Sequence, residues 1–164
     1  MNGKIILYRD DEDNWKQIGE GQERERPENK QILFEVRHSY TFCDEDYAYD
    51  LIVEKDGSLY IRQSETEGYR PTVTIIQKEK SDILKVQIEK ILEKYRCHID
   101  KIGNFGKGSR GCFSGILFDK EFSYMSLSDY NFIKSLAREV IKKMEELYPG
   151  EVDWDISIKR EMGF

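Results

Sequence analysis

The stretch QILFEVRHSYTFC, Gln31–Cys43, decides the fold. Ile32, Phe34, Val36, His38, Tyr40 and Phe42 fall on one side of it, and Glu35, Arg37, Ser39 and Thr41 on the other. A period of two sustained over this length is that of a half-buried β-strand. The acidic run DEDY then turns the chain, and Tyr47–Glu54 and Ser58–Glu65 read as a hairpin closed by KDG. A two-residue Asp56-Gly57 loop would set Glu54 opposite Leu59. A three-residue loop with Gly57 in the left-handed conformation pairs Val53 with Leu59 and Leu51 with Ile61. The second register keeps the apolar residues on a common face and is the one expected.

Working outward, Thr72–Gln77 starts another strand after Pro71, and Lys4–Tyr8 and Trp15–Ile18 read as short strands. ERERPENK lies between them and the long strand, so residues 20–30 are expected to form an exposed charged loop. Ser81–Arg96 has a helical stripe of Ile83, Leu84, Ile88, Ile91, Leu92 and Tyr95. Asp129–Leu147 has a second, built from Ile133, Leu136, Ala137, Val140, Ile141, Met144 and Leu147. Ser126 with Asp129 resembles a capping box before it, and Pro149-Gly150 stops it. His98–Ile102 and Cys112–Phe118 read as strands around a glycine-rich loop at residues 103–111. Val152, Trp154, Ile156 and Ile158 alternate as a last strand. The expectation is one α+β domain over residues 1–164, with a largely antiparallel sheet and two amphipathic helices packed on one face.

Among 164 residues, 38% are hydrophobic and 35% charged, and the net charge is −6. Ten Tyr, eight Phe and two Trp supply apolar area for a core, so the charge content is not a disorder signature. The acidic balance removes the global footprint of a nucleic-acid binder. No stretch approaches the ~20 apolar residues of a membrane helix. Three scattered cysteines, Cys43, Cys97 and Cys112, make no disulfide framework, and the N-terminus meets acids too early for a secretory signal. A cytoplasmic setting is expected.

The glycine stretch contains G-x-G-x-x-G, as Gly106 to Gly111. A dinucleotide fingerprint needs a helix after it, and here CFSGILFD reads as strand. The Walker pattern also fails, because Gly108 follows Lys107. A strand–loop–strand cover for phosphates fits the local pattern, but the protein-kinase motifs are missing. Metal ligation lacks paired spacing: His38 lies on an apolar face, and Cys97 and His98 would diverge on a strand. Asp10–Asn14 lacks the glycine and distal Glu of a calcium loop. Cys112 with His98 is the one thiol–imidazole pair available for nucleophilic chemistry. No cofactor or metal is expected.

Two function classes follow. The leading one is a non-enzymatic protein-binding module, such as an inhibitor, immunity or adaptor protein, that meets a basic protein surface. Its expected interface is Tyr40, Asp44, Glu45, Asp46, Tyr47, Tyr49 and Asp50, where aromatic rings stand beside carboxylates. The alternative is an enzyme or ligand-binding domain that holds a phosphorylated or nucleotide ligand with Lys101, Gly106, Lys107, Gly108, Ser109 and Arg110.

Overall fold

The computed structural model describes residues 3–42, 45–67, 70–103, 113–123 and 126–150. Eight strands form one antiparallel sheet: β1 (Gly3–Arg9), β2 (Trp15–Ile18), β3 (Ile32–Phe42), β4 (Glu45–Glu54), β5 (Leu59–Glu67), β6 (Arg70–Lys78), β7 (Phe113–Leu117) and β8 (Lys120–Ser123). Their order is β2-β1-β6-β5-β4-β3-β7-β8. The meander β3–β6 forms the middle, as its alternation requires. The helices are α1 (Asp82–Lys94), α2 (Arg96–Asp100) and α3 (Leu127–Leu147). The expected α+β architecture is present. The expected last strand, Val152–Ile158, lies outside the described residues.

Each long helix starts on a serine. Ser81 Oγ accepts from the Leu84 amide at 3.2 Å, and Ser126 Oγ from the Asp129 amide at 3.2 Å. Both satisfy N–H groups that a helix start leaves unpaired. Leu84, Ile88 and Leu92 of α1 and Ile133, Leu136, Val140 and Met144 of α3 pack on Phe34, Val36, Leu51, Val53, Leu59 and Ile61. Ile83, expected in the α1 stripe, is 64% exposed. It stands one residue away from the Leu84–Ile88–Leu92 line, whose spacing of four fixes the buried face.

Three readings of local structure are corrected. His98–Ile102 is not a strand: α2 and its end cover it, and Ile99 and Ile102 are both buried. Their spacing of three is helical, and a two-residue period would have separated them. The β7–β8 hairpin turns through Phe118 and Asp119, both at positive φ (47° and 65°). Such a turn normally advertises itself with Asn-Gly or Asp-Gly, which is absent here. The Lys55 ammonium holds the Asp119 carboxylate at 2.6 Å, and the Arg96 guanidinium lies 4.0 Å from the Phe118 ring centroid. Finally, β3 is not one clean alternation. The register shifts between Ile32 and Phe34, so Ile32 packs with Ile5, Ile52 and Ile75 on the sheet's second face while Phe34 packs under the helices.

The expected exposed loop at residues 20–30 does more than lie in solvent. Most of its residues stay solvent-accessible, but Pro27 is buried and the side chains of Glu23, Arg24 and Arg26 are tied to the sheet. This segment, the strap, crosses the second sheet face. Its charge is what the sheet beneath it demands, because Glu35 and Glu54 are buried there.

The β4–β5 register is as expected, with Leu51 opposite Ile61 and Val53 opposite Leu59. Gly57 has φ +86°, and a Cβ there would lie 2.1 Å from the Ser81 carbonyl oxygen. Gly150 has φ +73° with nothing within 4 Å. Gly57→Ala therefore suffers both strain and a backbone clash, and Gly150→Ala strain alone. Chemical denaturation should show Gly57→Ala losing more than about 2 kcal/mol and Gly150→Ala about 1 kcal/mol. Equal losses would contradict the contact with the start of α1.

Candidate functional site

Alternation places Glu35, Arg37 and Ser39 of β3, Ala48, Asp50 and Ile52 of β4, and Tyr60, Arg62 and Ser64 of β5 on the face away from the helices. Register makes rows of them. One row runs Ser114–Arg37–Asp50–Arg62, and the next Ile116–Glu35–Ile52–Tyr60–Gln77.

The strap covers the second row. Its Arg24 amide donates to Gln77 Oε1 at 2.9 Å, and Gln77 Nε2 donates back to the Gln22 carbonyl at 3.0 Å. Arg24 pairs with Glu54. The Tyr60 hydroxyl donates to Glu23 at 2.5 Å, and Arg62 Nε donates to the same oxygen at 3.1 Å. Arg26 grips Glu35 with two bonds, 3.1 Å from Nε and 2.5 Å from a terminal nitrogen. Asn29 reaches Glu121 on β8.

The strap leaves the first row uncovered. There the surface dips into a groove of about 380 Å³ lined by Arg37, Ser39, Ala48, Asp50, Arg62, Ser64 and Ser114. Arg37 approaches Glu35 only to 3.8 Å, and its side chain is 47% exposed. The Ser39, Ser64 and Ser114 hydroxyls make no hydrogen bond among the described residues.

Asp50 lies at the groove floor. Burial raises its pKa, and the neighbouring Glu35 carboxylate raises it further, up to about 8, against the opposing pull of Arg37 and Arg26. Its Oδ1 is buried without a conventional donor. Two acidic groups side by side in a desolvated place hold a proton between them, because both cannot ionise there. Asp50 carries that proton and shares it with Glu35, so at neutral pH it stands beside Arg37 without charge.

His38 is buried on the helix face, with its ring centroid 5.7 Å from that of Tyr49. Burial, then the charge of Lys134, lowers its pKa to about 4, so it is neutral at physiological pH.

A second cleft, of about 670 Å³, lies along α1 between Leu33, Val86 and Phe118. Its charged rim is already engaged: Lys85 with Glu89 at 3.9 Å, Arg96 with Glu93 at 2.7 Å, and Lys55 with Asp119. The open-face groove is smaller, but it gathers polar groups that make no hydrogen bond among the described residues.

No protein-family model, curated protein or solved structure matches this chain. The site therefore rests on geometry.

The residues expected at an acidic, aromatic interface divide. Tyr49 is only 5% exposed and belongs to the helix-side core, so it is no surface anchor. Asp50 sits in the groove, and Asp46 is exposed. Tyr40 and Tyr47 pair across β3 and β4, and Glu45 pairs with Phe42. The side chains of Tyr40, Glu45 and Tyr47, and Asp44 entirely, lie outside the described residues. So do Gly106, Lys107, Gly108, Ser109 and Arg110, whereas Lys101 is exposed at the end of α2. Of the thiol–imidazole pair, Cys112 also lies outside, and the His98 ring stacks on Phe132 at 3.7 Å with Asp129 at 3.5 Å. No cluster of His, Cys, Asp and Glu among the described residues has the form of a metal site. No helix among them is long and apolar enough to cross a membrane. Alternation alone puts Glu35, Arg37 and Ser39 on the polar side of β3, and only strand pairing brings that side beside Asp50 and Arg62. The usable signal was the density of Arg and Glu in the strap, which only buried countercharges explain.

Two outcomes test the buried charges. Arg26→Ala leaves the Glu35 carboxylate without its main partner and should cost about 3–5 kcal/mol by urea denaturation. Adding Glu35→Gln should restore much of that loss; if it does not, the charge at Glu35 is not the cause.

The second outcome is the pH profile. The raised Asp50 contributes stability that is full below its unfolded value of 3.8 and is lost as pH climbs toward about 8. The lowered His38 contributes stability that is present above its unfolded value of 6.5 and lost as pH falls toward 4. The two oppose each other between pH 4 and 6.5, and Asp50 acts without that opposition from 6.5 to 8. There the stability should fall by at most about 1.4 kcal/mol per pH unit. Asp50→Asn, which mimics the protonated acid, should abolish this fall. The same fall in Asp50→Asn would assign the proton elsewhere.

Proposed function

We propose that this chain is a ligand-binding domain whose open-face groove receives a small polar molecule. The observation that carries this reading is the convergence of Arg37, Asp50, Ser39, Ser64 and Ser114, a guanidinium, a protonated carboxyl and three hydroxyls, in one concavity. Asp50, Ser64 and Ser114 among them are half-buried, where polar groups in a folded protein are ordinarily satisfied. A concave site with a few convergent polar groups is the usual form of a small-molecule site, and its volume falls within their range. β7, which contributes Ser114, follows directly on the glycine stretch, so the segment expected to meet a ligand adjoins the groove in the chain.

Binding without turnover suits these groups. Glu35 is fully buried and held by Arg26, so it is not available as a base toward the groove. Asp50 already carries its proton. The site can hold and orient a ligand through its guanidinium and hydroxyls.

Ala48 lies in the groove between Ser39 and Ser64 in register. Ala48→Trp should fill it while leaving the helix-side core untouched. In a thermal-shift screen against small metabolites, a ligand present at 100 times its Kd should stabilise the wild type by about 2.7 kcal/mol, a shift of several degrees. The same ligand should leave Ala48→Trp unshifted. Ligands that stabilise both proteins equally would place the site elsewhere.

A further inference from the structure

We infer that the group this groove recognises is an oxyanion, a carboxylate or a phosphate, held by the Arg37 guanidinium with Arg62 beside it and the groove's serine hydroxyls around it. The inference rests on the ligand-binding reading and names the chemistry that the groove selects.

The argument is an inventory of charges and donors. Six charged groups lie about Asp50 and its neighbours: Glu35 and Arg37 on β3, Arg62 on β5, Glu121 on β8, and Glu23 and Arg26 on the strap. Arg26 is engaged with Glu35 through two bonds. Arg62 gives its Nε to Glu23, and its side chain remains 42% exposed. Arg37 has only the 3.8 Å approach to Glu35. Arg26 is taken up by Glu35 with Glu121 also near it, and Arg62 by Glu23, so among the described residues Arg37 is the cation of this set without a close carboxylate partner. Around it stand the Ser39, Ser64 and Ser114 hydroxyls, which can all donate.

A planar guanidinium with free N–H groups, flanked by hydroxyls, matches the oxygens of a carboxylate or phosphate. A cationic ligand would meet the Arg37 guanidinium, and a neutral one would leave that guanidinium without a close anion. The protonation of Asp50 completes the match. Were that carboxyl ionised, its charge would neutralise Arg37, and an incoming anion would meet repulsion in its place. Ionisation of Asp50 and oxyanion binding therefore exclude one another.

The test titrates three probes into the isotope-labelled chain: succinate, inorganic phosphate, and glucose as a neutral control of similar size. Succinate or phosphate should shift the Arg37 Nε–H signal and the Ala48 and Ser64 amides, while glucose should not. Which anion binds tighter distinguishes the carboxylate from the phosphate source. Arg37→Gln should weaken that binding at least tenfold, and Arg62→Gln less. The pair keeps the test valid if one variant folds poorly. Succinate has no proton to exchange between pH 7 and 9, so it reads Asp50 cleanly. Its affinity for the wild type should fall by up to tenfold per unit above about pH 8, and for Asp50→Asn it should stay level. Equal anion binding by Arg37→Gln and the wild type would overturn the inference, as would a level wild-type profile through pH 9. Glucose shifting the groove amides while both anions fail would overturn the oxyanion and leave the ligand-binding reading standing. Silence from all three probes would overturn the oxyanion also, and the Ala48→Trp screen would then decide the groove by itself.

Discussion

The ion pair between Arg26 and Glu35 organises the second face of the sheet. Glu35 is fully buried, in register between Ile52 and Ile116, where a carboxylate without a countercharge would not persist. Arg26 supplies the charge from a segment with almost no regular structure of its own, and so draws that segment across the sheet. With the strap in place, Ile5, Ile32, Ile52, Tyr60, Ile75 and Ile116 form a second apolar cluster beneath it. The same carboxylate acts sideways. It keeps its neighbour Asp50 protonated, and so leaves Arg37 without a full negative partner. Cover and groove are two consequences of one buried charge.

Such a pair is not an efficient source of stability, since desolvating both ions offsets most of their attraction. Its effect here is positional. The strap has few apolar side chains, and hydrophobic burial alone would not fix which of its residues meets which strand. Side-chain hydrogen bonds do. Gln77 exchanges two bonds with the backbone at Gln22 and Arg24, in the manner of a strand neighbour. Tyr60 and Arg62 converge on Glu23. Each contact is directional, so together they fix the register of a segment that the backbone ladder does not reach.

Legibility in the sequence followed the range of the interaction. The sheet's middle was readable because alternation and turn chemistry are local: Gly57 set the β4–β5 register, and Ser81 and Ser126 marked the helix starts. The β3 bulge was not, because one extra residue at Leu33 leaves the composition of both faces plausible while it moves Ile32 to the other side. The strap was read as solvated because charged residues usually are, and their partners lie as many as 53 residues away, as from Arg24 to Gln77. The groove was missed for the same reason. Arg37, Asp50 and Arg62 belong to three strands, and only pairing brings them together. Of the expected interface, Asp50 lies in the groove.

The sheet's two faces explain why a site forms where it does. On the helix side α1 and α3 close over Phe34, Val36, Leu51, Val53, Leu59 and Ile61, and His38 is buried and neutral on that face. On the second side the strap is too short to cover more than the rows near Gln77, Tyr60 and Glu35. The next row is therefore left at the edge of a desolvated region and not in open water. That boundary strengthens electrostatics: it raises Asp50 by burial while leaving Arg37 half exposed. Deeper in, Arg37 would need a countercharge from the protein. Farther out, Asp50 would ionise and supply one. A free guanidinium beside a protonated acid exists only at this margin, which is also where a ligand can reach both.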